Sequence, residues 1–106
     1  MSAGELTQGT RCPNAVLGVK GGGWDDWENS VAGAYMLVNV GAPDGPEKWN
    51  LWIKDPRGHI GMCASHIHTI TINDDDTITV SPSIAPNDAN PGGWHGYLEH
   101  GVWREV

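Results

Sequence analysis

Three histidines and one cysteine lie within residues 59–68, a high density for a chain of 106 residues. If residues 66–68 are extended, His66 and His68 share one face of the strand, where both imidazoles can bind one metal ion. Cys63 can reach the same point from the preceding turn, which predicts a metal site with zinc as the candidate ion. A fourth ligand would come from the remaining thiol and imidazole groups: Cys12, His59 or His95. The alternative interpretation is structural, because the sequence has no paired Cys-x-x-Cys motif and a strand histidine can simply bond its neighbours.

A second set of residues is suited to a planar, phosphate-bearing ligand. Exposed Trp and His side chains stack on planar groups, and an Arg guanidinium binds phosphate. Trp24 and Trp27 follow three glycines and alternate with acidic residues, a pattern that fits either a mobile lid over a ligand or a loop anchored to the core. The candidate ligand-binding residues are Trp24, Trp27, Arg57, His59, Trp94, His95 and Tyr97. We expect His66 and His68 to line the same cleft, between the 55–63 loop and the final hairpin.

Motifs that define common enzyme classes are missing from the sequence. It contains no nucleophile elbow, no Walker loop and no dinucleotide fingerprint. Asp74, Asp75 and Asp76 lack the spaced ligands of an EF-hand loop, so they predict a solvated hairpin turn. No catalytic residue is assigned.

Charge and hydropathy exclude several functions. There are 13 Asp and Glu against 6 Lys and Arg, and the net charge of -7 argues against general nucleic-acid binding. No apolar run reaches the roughly 18 residues of a membrane helix, and the N-terminus does not read as a secretory signal. We therefore expect a cytoplasmic protein in which Cys12 and Cys63 are not joined in a disulfide.

Strand patterns dominate the chain, with period-two apolar residues between Gly, Pro, Asn and Asp. The apolar run 31–40 predicts a central strand covered on both faces. Residues 48–54 alternate, so Trp49 shares a face with Leu51 and Ile53.

Two hairpins are expected in the C-terminal half. One pairs residues 67–72 with 77–81 around an Asn-Asp-Asp-Asp turn, and the other pairs residues 94–99 with 102–106 around His-Gly. The fold class predicted is all-β, a small antiparallel sandwich or partly open barrel. Residues 1–11 are expected to form a flexible N-terminal arm, and residues 12–106 a single β domain.

The segments 77–84 and 93–103 carry a family resemblance, through a strand ending in Pro-Ser-Ile followed by Trp94, His95 and a Gly turn. This pattern resembles small bacteriophage-encoded proteins of unassigned function, whose members often have a Cys shortly before that His. The resemblance implies a viral protein of the host-cell cytoplasm that acts by binding.

These observations predict a noncatalytic accessory binding protein, with counter-defence by sequestration of a small nucleotide-like ligand as its role. A homo-oligomer is expected, because one small domain encloses little volume. Two alternatives stay open: a metal-dependent hydrolase or lyase that uses His66 and His68, and an acidic inhibitor of a host protein. The partner is accordingly a small molecule or a host protein.

Overall fold

The computed structural model describes residues 6–41, 45–85 and 94–106. The elements in chain order are β1 (Leu6–Gln8), β2 (Thr10–Arg11), β3 (Ala15–Val16), α1 (Gly23–Glu28), β4 (Ala34–Asn39), β5 (Trp49–Lys54), β6 (Ile60–Cys63), β7 (Thr69–Ile72), β8 (Ile78–Ile84), β9 (Gly96–Glu99) and β10 (Val102–Glu105). No helix in these ranges has the length and apolar character needed to span a membrane.

The strands form two sheets, which confirms the all-β prediction. The first sheet has the order β1-β10-β9-β8-β7 and is antiparallel throughout. The second has the order β2-β4-β5-β6, and β3 also pairs with β4. β2 and β3 run parallel to β4, whereas β5 is antiparallel to both of its neighbours, β4 and β6. The arrangement is an open sandwich and not a closed barrel.

Within the predicted N-terminal arm, Leu6–Gln8 and Thr10–Arg11 form strands, and residues 1–5 lie outside the described ranges. β1 pairs with β10 and β2 pairs with β4, so the chain crosses from one sheet to the other at Gly9. A Cβ at Gly9 would lie 2.5 Å from the carbonyl oxygen of Gly101. Polar side chains do not prevent this pairing, because the ladder is built from main-chain groups.

The larger core, here called the inner core, fills the space between the sheets. Its members are Tyr35, Leu37, Leu51, Ile53, Cys63, Ile78, Val80, Ile84, Trp94, Leu98 and Trp103. Trp94 and Trp103 meet edge to face, with ring centroids 5.3 Å apart. These two indoles supply the bulk that Phe, which the chain lacks, supplies in many other cores.

A second cluster, here called the outer core, lies on the other face of the second sheet beneath α1. Its members are Cys12, Ala15, Trp27, Ala34, Met36 and Val38. Every residue of β4 is buried, which confirms the prediction of a strand covered on both faces. Gly23 begins α1 where only glycine fits, because a Cβ there would lie 1.8 Å from the carbonyl oxygen of Pro13.

Both predicted hairpins are present. β7 pairs with β8 in a register that places Ile72 opposite Ile78. β9 pairs with β10 around His100 and Gly101, whose φ angles are 48° and 75°. Two positive φ angles in a two-residue connection are typical of a type I′ turn, whose twist matches the flanking strands. The β5–β6 connection contains a turn in which the Gly58 N–H donates to the Asp55 carbonyl at 2.8 Å.

Candidate functional site

The structure does not bring the predicted metal ligands together. Residues 65–67 form a turn because the N–H groups of Ile67 and His68 both donate to the Ala64 carbonyl, at 3.0 and 2.8 Å. Residues 66–68 therefore do not have the extended conformation that the predicted metal site requires. Cys63 is 1% exposed within the inner core, whereas His66 is exposed. In the described part of the chain, no three His, Cys, Asp or Glu side chains are grouped to hold a metal ion.

The predicted ligand-binding tryptophans are used for packing. Trp94 is buried in the inner core and Trp27 in the outer core. Trp24 is half-buried; its indole N–H donates to the Val16 carbonyl at 2.9 Å and its ring meets that of Trp52 edge to face. Of the two interpretations of this segment, the structure supports anchoring to the core.

The other predicted ligand-binding residues are engaged with nearby side chains. Arg57 pairs with Glu105 at 2.8 Å, and the His59 ring lies 3.2 Å from buried Asp55. The guanidinium of Arg104 lies 4.5 Å from the Tyr97 ring centroid.

His95 has a different kind of partner, the Ser83 hydroxyl, which lies 2.9 Å from its Nε2. A serine bonded to a histidine is the first requirement of a nucleophile and base pair. Among the described residues, no carboxylate bonds the other ring nitrogen of His95 to orient it.

A cleft of about 690 Å³ lies at one side of the sandwich. We call it the inter-sheet cleft. Leu37 and Trp49 of the second sheet and Ile70 and Ile72 of the first form its apolar lining. It is open to solvent, since Ile72 is 56% exposed. Its volume falls in the range of small-molecule sites.

Polar groups surround this apolar lining at a few points. Glu47 and Lys48 bring opposite charges to the cleft, and Glu47 accepts a 3.0 Å hydrogen bond from the Trp49 indole. His68, half-buried, also lines the cleft. Its Nε2 lies 3.3 Å from the Ser83 carbonyl oxygen and must donate, because a carbonyl only accepts. Among the predicted site residues, His68 lines this cleft.

Sequence reasoning missed most of this cleft. The sequence predicts that Trp49 shares a strand face with Leu51 and Ile53, but it does not mark Ile70 or Ile72 as site residues. The available signal was the pair of large apolar residues, Ile70 and Ile72, on one face of β7. β7 is the last strand of its sheet, and part of its inner face stays uncovered.

Burial makes both thiols poor nucleophiles. Loss of solvation raises the pKa of Cys63 to about 12. The pKa of Cys12 is also raised, first by burial and then by the charge of Asp26. The two residues lie in different cores on opposite faces of the second sheet, and both are free. Side chains that point to opposite faces cannot form a disulfide without backbone movement.

The acidic turn before β8 forms local hydrogen bonds. Asp75 accepts hydrogen bonds from the Thr77 side chain and main-chain N–H, and these bonds lower the pKa of its carboxyl group. Asp76 has a φ of 68° and pairs with Arg11.

Comparisons with family models, curated proteins and solved structures find no match to this chain.

Proposed function

We propose that this chain is a noncatalytic binding protein that holds a small planar ligand, such as a nucleobase or nucleoside, in the inter-sheet cleft. The observation that carries the proposal is the cleft itself, an apolar recess of about 690 Å³ with a few polar groups around it. A flat heterocycle can lie against the Trp49 ring and the isoleucines of β7, and its polar atoms can bond at the rim.

The charges at the cleft favour an uncharged ligand. Lys48 attracts a phosphate, but Glu47 lies beside it in sequence and also lines the cleft. The two charges offset each other, so phosphate groups add little to the binding free energy. The heterocycle is therefore the part of a nucleotide-like ligand that this site recognises.

The biological role that we attach to this binding is sequestration of such a ligand, as the resemblance to small phage proteins implies. Counter-defence by sequestration requires no catalytic group, only a cleft and a chain present in excess of the ligand.

The test is a titration of ¹⁵N-labelled protein with adenosine and, separately, adenosine 5′-monophosphate, followed by heteronuclear NMR. We expect the Trp49 indole and Ile70 amide signals to shift, with dissociation constants for the two ligands that agree within about threefold. Shifts confined to other surfaces, or no shift at millimolar ligand, would contradict the proposal.

Matched variants locate the site. Ile72→Glu places a charge in the cleft at an exposed position and should abolish the shifts. Leu6→Glu places the same charge on a residue that is 65% exposed at the opposite end of the first sheet, and should leave binding unchanged.

A further inference from the structure

We propose that two copies of this chain associate through β6, which pairs antiparallel with β6 of the second copy about a two-fold axis at Gly61. β6 is the last strand of the second sheet, and within the described ranges it pairs only with β5. An unpaired strand at the end of a sheet presents main-chain donors and acceptors to another strand. This inference is independent of the inter-sheet cleft.

The register identifies which main-chain groups are available. In an antiparallel ladder, hydrogen-bonded and non-hydrogen-bonded pairs alternate. The Asp55 N–H donates to the His59 carbonyl at 2.9 Å, so these two residues form a hydrogen-bonded pair. By alternation the main-chain groups of Gly61 face β5, and those of Ile60 and Met62 point away from it.

The same two residues carry exposed apolar side chains. Ile60 is 63% exposed and Met62 is 53% exposed, on the face of the sheet that also carries half-buried Trp52. β6 contains none of the Lys or Pro residues that commonly protect an outer strand from association.

A register centred on Gly61 pairs the free main-chain groups of Ile60 and Met62 and also covers their exposed apolar side chains. It places Ile60 opposite Met62 of the second copy, and Met62 opposite Ile60 of the second copy. Each pair exchanges N–H and C=O hydrogen bonds and brings two apolar side chains together on the same face. Glycine at the axis adds no side chain where the strands approach most closely.

Charge does not oppose this contact, although each chain has a net charge of -7. The sequence has no acidic residue between Asp55 and Asp74, and the residues that flank β6 are histidine, glycine, alanine and serine. Two copies can therefore meet at β6 with no carboxylate in either of the pairing strands. The contact is short, so we expect a dissociation constant in the micromolar range.

Sedimentation equilibrium of the wild-type chain, from about 5 to about 500 µM, brackets that affinity. We expect a monomer–dimer equilibrium. Met62→Lys introduces like charges on both sides of the axis and should weaken dimerisation at least tenfold. Ile72→Lys is the matched control: it alters the last strand of the other sheet at similar exposure and should leave the dissociation constant unchanged.

Hydrogen exchange supplies a second readout. The Ile60 and Met62 amides should be protected at concentrations where the dimer forms, and should exchange rapidly on dilution. Ile60→Lys gives the same test should Met62→Lys fail to fold. A wild-type chain that stays monomeric throughout, or a folded Met62→Lys chain with wild-type association, would overturn the proposal.

Discussion

Asp55 is a fully buried carboxylate that organises the turn between β5 and β6. Its Oδ1 accepts hydrogen bonds from the N–H groups of Arg57 and His59, at 2.8 and 3.0 Å. Asp55→Ala leaves these donors without their partner, and we expect it to lower the free energy of unfolding by about 3 kcal/mol. Asp55→Asn keeps an acceptor oxygen in the same place and should lower the free energy of unfolding by only about 1 kcal/mol. Urea denaturation of both variants measures this difference, and equal losses would show that the hydrogen bonds do not account for it.

The Cys63 thiol makes the stability of the fold sensitive to alkaline pH. Its pKa is about 9.0 in an unfolded chain and about 12 in the folded one. Above pH 9 the unfolded state therefore loses a proton that the folded state retains, so the free energy of unfolding falls as the pH rises toward 12. Between pH 8 and pH 10 we expect the Cys63 thiol alone to lower the free energy of unfolding by about 1 kcal/mol.

Cys63→Ala is the variant that isolates this effect. This variant leaves a cavity and lowers the free energy of unfolding at every pH. Between pH 8 and pH 10, however, its free energy of unfolding should fall by about 1 kcal/mol less than that of the wild type. Tyr35, whose pKa is raised by burial, is present in both chains and cancels in the comparison. Urea titrations at both pH values measure the difference, and parallel decreases in the two chains would argue against a protonated, buried thiol.

At the scale of elements, the turn at His100 and Gly101 has a sequence that can be improved. Both residues have positive φ angles, and a type I′ turn prefers Asn-Gly at these positions. His100→Asn should therefore raise the free energy of unfolding by up to about 1 kcal/mol. Gly101→Ala should lower it by at least about 1 kcal/mol, because its Cβ would lie 2.7 Å from the Tyr35 hydroxyl. Thermal denaturation ranks the two variants. A Gly101→Ala chain more stable than the His100→Asn chain would contradict the assigned type I′ turn.

The hairpins were predictable because their turn residues and apolar runs are close in sequence. The turn at residues 65–67 was not, since it depends on two N–H groups that converge on one carbonyl, which no apolar pattern records. The role of Trp94 was missed, and that of Trp27 was left open, for a related reason. An indole suits a core as well as a ligand site, and only the packing of the sheets decides between them.

At the scale of the molecule, β4 contributes buried side chains to both cores. Tyr35 and Leu37 of β4 enter the inner core, whereas Ala34, Met36 and Val38 enter the outer core. Neither core can lose this strand without exposing the other. We therefore expect both cores to unfold in a single cooperative transition.

The six tryptophans report on this cooperativity separately. Trp24, Trp27 and Trp52 belong to or pack against the outer core, while Trp94 and Trp103 belong to the inner core and Trp49 packs against it. Met36→Ala and Leu37→Ala are a matched pair on adjacent residues, and each should lower the free energy of unfolding by about 3 kcal/mol. In a urea titration followed by the indole N–H signals, either variant should shift all the midpoints together. A Met36→Ala chain in which only the outer-core signals shift would instead show that α1 and the strand beneath it unfold independently of the sandwich.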